Sequence, residues 1–317
     1  MVPNVNAVPA VSRRGVYWHA AACLAVLLGA GWLVRRHWPV VEHGALRLAV
    51  ADQGWLLVAA LAAVGTWASS ALAQQGAVAR RLPGGRLVAA QFAASAANHV
   101  LPAGVGAGAV NLRFLMRCGL PPGRGASALA VKAAAGAVVR LALVAVLAPA
   151  CPGLLRAPHL PTAVLLAGAA VVALAGVLLL LRVRVWPRCR GAVAAVVADI
   201  RALHSRPARA AALWGGSLAF TGLHTLVLIS VARAVELPLS PVRVALLYLA
   251  ASGAAALLPT PGGLGSLDAA LALALTASGT PAAAAASAVL GYRLLTVWLP
   301  LLPGLLLLGV LIRRRAL

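Results

Sequence analysis

The chain has 317 residues, 62% of them hydrophobic and 10% charged, with a net charge of +22 from 27 basic and 5 acidic side chains. A water-facing domain carries about 25% charged residues, so this composition excludes a soluble globular fold. The basic excess would suggest nucleic acid in a soluble chain, but here the arginines cluster between apolar blocks such as Gly15–Val34 and Pro161–Leu181, where membrane proteins keep cytoplasmic positive charge.

Apolar runs of about 18 residues or more are what a helix needs to cross the hydrocarbon of a bilayer. After a short cytoplasmic tail over 1–15, they predict one transmembrane domain over 16–312. Its first half covers about 16–181, a basic interfacial loop covers 182–209, and its second half covers about 210–312. Arg13-Arg14 precede the first span, 16–34, which runs into Arg35-Arg36-His37 and not into a small-residue cleavage site. It is therefore read as a retained span and not a signal peptide.

The second span, 54–75, returns to the Arg80-Arg81-Arg86 loop, and the third, 126–149, follows the basic Arg113–Arg124 region. The fourth, 160–181, leads into the richest basic segment, Arg182–Arg209, where Val193, Val196, Val197, Ile200 and Leu203 recur at helical spacing. That spacing suits an interfacial helix on the cytoplasmic leaflet. The fifth span, 210–231, exits, and the last, 282–311, ends at Arg313-Arg314-Arg315. The positive-inside rule then places both termini in the cytoplasm of a plasma-membrane protein.

Two stretches, 87–112 and 242–278, must each enter and leave on one side. Each is interrupted by Pro and Gly, at Leu101-Pro102-Ala103-Gly104-Val105-Gly106 and at Leu258-Pro259-Thr260-Pro261-Gly262-Gly263-Leu264-Gly265. Proline removes a backbone donor and glycine weakens a helix. Such breaks are tolerated at membrane depth only where protein or a water-filled cavity covers them. The expected fold is therefore all-α and polytopic: six full spans plus two opposed re-entrant hairpins in an inverted pseudo-repeat, the plan of transporters with a midplane site. Four proline-kinked full spans are the alternative.

Four scattered cysteines (Cys23, Cys118, Cys151 and Cys189) and seven scattered histidines form neither CxxC nor HExxH. No metal, disulfide framework or cofactor is expected, and the histidines are assigned to interfaces and loops. Nor is an intramembrane enzyme expected, since no GxSxG elbow or paired acids occur in the spans.

The runs Asn98-His-Val-Leu-Pro102-Ala-Gly-Val-Gly106 with Asn111-Leu-Arg113, and Leu258-Pro-Thr-Pro-Gly-Gly-Leu-Gly265-Ser-Leu-Asp268 with Tyr292-Arg293 through Trp298-Leu-Pro300, resemble the lysylphosphatidylglycerol synthase transmembrane region, a flippase-like family. The likeness extends over nearly the whole chain. Family members often carry Glu where Asp268 stands. They often also carry Glu after the first G-x-G, replaced here by Gly108 and Ala109, and an acid–Arg pair in the following span, reduced here to Lys132 and Arg140. In two-domain relatives a soluble aminoacyl transferase domain follows. This chain ends at Leu317 just after the last span, so the resemblance implies the flippase-like part alone.

A charged side chain within a bilayer costs roughly 2.5–3.5 kcal/mol even on a lenient scale, which marks it as a functional candidate. The candidates are Arg140, Asp268 and Arg293, with Asn98 and Arg113 beside the first break. Arg293 and Arg113 are expected to contact a lipid phosphate, Asp268 to act as counter-ion or to bind a cationic headgroup, and Asn98 to orient polar groups. The alternative is that Asp268 and an Arg staple the halves together, or that the arginines snorkel to an interface. Pro102, Gly104, Gly106, Pro259, Pro261, Gly262, Gly263 and Gly265 are expected to shape the hairpins. Two functions fit: a translocase moving a lipid or lipid-linked glycan between leaflets, or a non-transporting accessory subunit of a glycosyltransferase or envelope-lipid enzyme. The expected partner is a membrane lipid with an anionic phosphate headgroup.

Overall fold

The computed structural model describes residues 35, 38–100, 105–151, 198, 200–201, 204–256 and 265–313. Every regular element among the described residues is helical. The first half contains α1 (Trp38–Ala49), α2 (Gln53–Ala77), α3 (Gly84–Val100), α4 (Val105–Arg117) and α5 (Pro122–Leu147). The second contains α6 (Pro207–Ala234), α7 (Pro241–Ala256), α8 (Ser266–Ala277), α9 (Ala282–Arg293) and α10 (Leu299–Arg313). A π-helical turn, Leu294–Trp298, joins α9 to α10.

The sequence sets these boundaries. The Asp52 carboxylate caps α2 by accepting from the Trp55 N–H at 3.0 Å, meeting one of the unpaired donors of a first turn. Prolines 122, 207 and 241 open α5, α6 and α7, where a missing N–H costs nothing and φ is already helical. Gly119 and Gly279 follow α4 and α8 with φ of +85° and +93°, the left-handed conformation that ends a helix and favours glycine.

Four segments are long and apolar enough to cross a membrane: Gln53–Ala77, Pro122–Ala150, Pro207–Ala234 and Ala282–Leu311. They coincide with the spans expected at 54–75, 126–149, 210–231 and 282–311. The spans expected at 16–34 and 160–181 lie outside the described residues. So do residues 182–197 and Asp199 of the basic loop, the tail 314–317, and Pro102, Gly104, Pro259, Pro261, Gly262 and Gly263.

Helices α2 and α6 run antiparallel along their whole length. At one end the Asp52 N–H donates to the Ala234 carbonyl at 3.1 Å. At the other, a Cβ on Gly76 would lie 2.3 Å from the Leu213 nitrogen, and one on Gly216 would lie 2.4 Å from the Ala73 nitrogen. This reciprocal backbone approach is the close packing that small residues permit between membrane helices. Each of these two antiparallel helices precedes a pair of short helices in its own half.

Between the long helices each half inserts an antiparallel pair. In α3–α4, Gln91 Nε2 donates to Asn111 Oδ1 at 2.8 Å. A Cβ on Gly106 would lie 2.1 Å from the Ala97 carbonyl oxygen, so the two arms touch through backbone. The open end is tied where Arg80 Nη1 donates to the Cys118 carbonyl at 2.8 Å. In α7–α8, Arg243 Nη2 does the equivalent, donating to the Ser278 carbonyl at 3.2 Å. The open end of the first pair lies where α2 finishes, and that of the second where α6 finishes. Because α2 and α6 are antiparallel, the two open ends lie at opposite ends of the α2–α6 pair. Their arms have 17, 13, 16 and 12 residues, at most about 26 Å at the 1.5 Å rise of an α-helix and short of the ~30 Å core.

Candidate functional site

Near the middle of α6, residues from both short-helix pairs line an open cavity of about 470 Å³. Helix α3 contributes Ser95, Asn98 and His99, α5 contributes Arg140, and α6 contributes Phe220 and His224. Helix α7 adds Tyr248 and Ser252, α9 adds Tyr292 and Arg293, and the π-turn adds Thr296 and Val297. Both halves build the cavity.

Arg293 and Asp268 form an ion pair through Nε and Oδ1. The other carboxylate oxygen of Asp268 accepts the Gly265 N–H at 2.9 Å. One acid therefore holds both the start of α8 and the guanidinium at the end of α9. Arg293 is 7% exposed and Asp268 is 32% exposed, so the pair is sunk on its cationic side. Arg140 is placed differently. Its stem passes close to Gly253 of α7, and its Nε is buried without a hydrogen-bond partner among the described residues. The cavity thus holds two guanidiniums, while Asp268 pairs with one of them.

Neutral polar groups complete the wall. The Tyr292 hydroxyl lies 3.0 Å from His224 Nδ1 and 3.3 Å from the Tyr248 hydroxyl. Phe220 meets His224 edge-on, with ring centroids 4.7 Å apart. The π-turn begins immediately after Arg293, and Thr296 Oγ1 donates to the Tyr292 carbonyl at 2.7 Å. Widened turns of this kind recur at functional sites. Here the widening lies between the arginine and Pro300, which cannot donate to the helix.

The family model of the lysylphosphatidylglycerol synthase transmembrane region matches residues 16–304. The chain belongs to this family. No curated protein matches it. Membership and the apolar helices make it a multi-pass membrane protein with a lipid-related function.

Of the residues singled out in the sequence of this family member, Asn98, Arg140 and Arg293 line the cavity, and Asp268 joins it through Arg293. Arg113 does not come together with them: it lies exposed on α4, one helical turn from the equally exposed Arg117. Gly108 and Ala109, after the first G-x-G, are exposed. The first half buries a cation among neutral oxygens. Lys132 Nζ donates to Ser70 Oγ at 2.9 Å, Gln74 Oε1 at 3.0 Å and Gln91 Oε1 at 3.1 Å. All three ammonium protons are used, and Gln91 also bonds Asn111. This cluster staples α2, α3, α4 and α5, and it does not open on the central cavity.

Sequence reasoning missed His99, His224, Tyr248 and Tyr292 as cavity groups. His43 and His204, by contrast, are exposed and face a carbonyl of their own helix. A usable signal existed for His224 and Tyr292: a lone polar side chain deep within an otherwise apolar membrane-length segment.

Proposed function

We propose that this protein moves an amphiphile, a lipid or lipid-linked glycan, between leaflets, and that the central cavity receives its anionic phosphate headgroup. The observation that carries the reading is Arg140, a guanidinium with a buried, unpartnered Nε in a cavity where Asp268 pairs with Arg293. A buried donor left unmet costs about 1–3 kcal/mol, and a phosphate offers the fork of a guanidinium two matching acceptors. The surrounding Asn98, Ser95, Tyr248 and Tyr292 provide neutral hydrogen bonds for the remaining headgroup atoms. The reading makes the protein a carrier and not an enzyme.

The two short-helix pairs act in this reading as re-entrant hairpins entering from opposite faces, with their tips and the cavity at the midplane. Their sub-membrane lengths and opposed open ends support that placement. Six spans, both termini in the cytoplasm and a plasma-membrane location follow from the arginine-rich loops. A phosphate reaching Arg293 competes with Asp268, and Asp268 also holds the first N–H of α8. Headgroup entry is thereby linked to the start of the second hairpin.

Dithionite quenching of fluorescent phosphatidylglycerol in proteoliposomes tests this. Protein-dependent loss of the inner-leaflet signal is expected, together with its abolition in Arg140→Gln at unchanged expression and insertion. Full transport by Arg140→Gln would remove this arginine from the mechanism. No transport by the parent protein would favour the accessory-subunit role.

A further inference from the structure

The end of the bundle where α2 stops and α3, α5 and α6 start gathers six arginines from distant parts of the chain: Arg80, Arg81, Arg86, Arg117, Arg124 and Arg209. They line two adjoining pockets of about 310 and 250 Å³ that share Arg80 and Gly119. Among the described residues no acid lines either pocket. Topology requires only that arginines be numerous on one side of the membrane. It does not require them to converge in a concavity, where like charges repel, and such convergence calls for an anion.

The two pockets differ in chemistry. The larger is walled almost wholly by cations: Arg80, Arg81, Arg86 and Arg117, with Pro83 beside them. The smaller sets Arg80, Arg124 and Arg209 over an apolar wall of Val78, Leu120, Ala128 and Val131. Arg80 is fixed between the two by its bond to the Cys118 carbonyl. A free phosphate would satisfy the guanidiniums and leave the apolar wall bare. A phosphate joined to hydrocarbon covers both, and the end of a membrane-length helix stands at headgroup depth.

We propose that this basic end is a second lipid site, distinct from the central cavity, which holds the phosphate of an anionic phospholipid under Arg80, Arg124 and Arg209 with its acyl region on the apolar wall. The adjoining arginine pocket receives the rest of the acidic headgroup. The site stands independently of the proposed transport and applies equally to a non-transporting protein.

Native mass spectrometry of the full-length protein in detergent, with added phosphatidylglycerol, phosphatidylcholine or inorganic phosphate, tests it. Phosphatidylglycerol is expected to bind at concentrations roughly tenfold lower than phosphatidylcholine, given the attraction of several arginines. An Arg117→Gln, Arg124→Gln double variant, both positions being exposed, should lose that preference when made in an Arg140→Gln background, which disables the central cavity and by itself should keep the preference. Retention of the preference by the double variant overturns the proposal. Loss of the preference in Arg140→Gln instead assigns the lipid to the central cavity, and displacement by equimolar inorganic phosphate marks a free-anion site. Either result also overturns it. Should the glutamine variant fail to fold, Arg117→Lys with Arg124→Lys keeps the charge without the fork. A partial loss of preference is then expected, and none at all counts against the site.

Discussion

Replacing Asp268 with Asn tests the charge logic of the cavity most directly. The amide oxygen keeps an acceptor for the Gly265 N–H, now met by Asp268 at 2.9 Å, so the start of α8 survives. What disappears is the negative charge on Arg293. At an effective dielectric constant near 20, unit charges 4 Å apart interact by about 4 kcal/mol. Asp268 is one-third exposed, so solvent screening reduces this to about 2 kcal/mol. On the transport proposed above, an incoming phosphate displaces the carboxylate from Arg293 in the parent protein. In the variant the carboxylate charge no longer opposes the phosphate at Arg293. Headgroup affinity should therefore rise roughly thirtyfold, by conversion of that energy, while release slows and transport falls. Titration of a fluorescent phosphatidylglycerol against detergent-solubilised protein measures the first change, and dithionite quenching in proteoliposomes the second. Weaker binding by Asp268→Asn, with the unfolding temperature unchanged, would refute the competition and leave the pair as a structural staple.

Three further outcomes follow from the geometry. A Cβ on Gly106 would meet the Ala97 carbonyl and one on Gly108 would meet nothing, so Gly106→Ala should cost about 1–3 kcal/mol by overpacking, while Gly108→Ala is neutral or better; thermal unfolding in detergent compares them. Lys132→Met removes the ammonium that donates to Ser70, Gln74 and Gln91; Gln91 Oε1 still accepts from Ser70 Oγ, so the loss should be about 1–3 kcal/mol in total, and a lowered unfolding temperature without any change in headgroup affinity is expected, since the cluster does not line the cavity. Tyr292→Phe deletes the bonds to His224 and Tyr248 and keeps the ring, so stability should fall by about 1 kcal/mol while flipping slows in the quenching assay.

How much of this was legible in the sequence depended on the kind of signal. The four described long helices follow from continuous apolar runs, which need no tertiary information. The paired short helices follow from charge placement and from Pro–Gly breaks, because both report backbone that cannot continue as one helix. Side-chain direction was not legible. Arg113 and Arg140 look alike in sequence, each a single arginine in an apolar stretch, yet one faces outward from α4 and the other turns into the cavity past Gly253. Only the packing of α5 against α7 separates them. The clamps Arg80 and Arg243 were equally opaque, since their carbonyl partners lie 38 and 35 residues away.

The halves share a plan but differ in what holds them. The first pair of short helices is fixed by neutral and cation–neutral bonds: Lys132 to three side-chain oxygens, Gln91 to Asn111, and backbone against backbone at Gly106. None of these groups lines the central cavity. At the inner end of the second pair, an ion pair between Asp268 and Arg293 has its cation in the cavity wall, where an anion can exchange with it. On the transport proposed above, the first half is the fixed wall, and the second half carries an ion pair that an anionic headgroup can open.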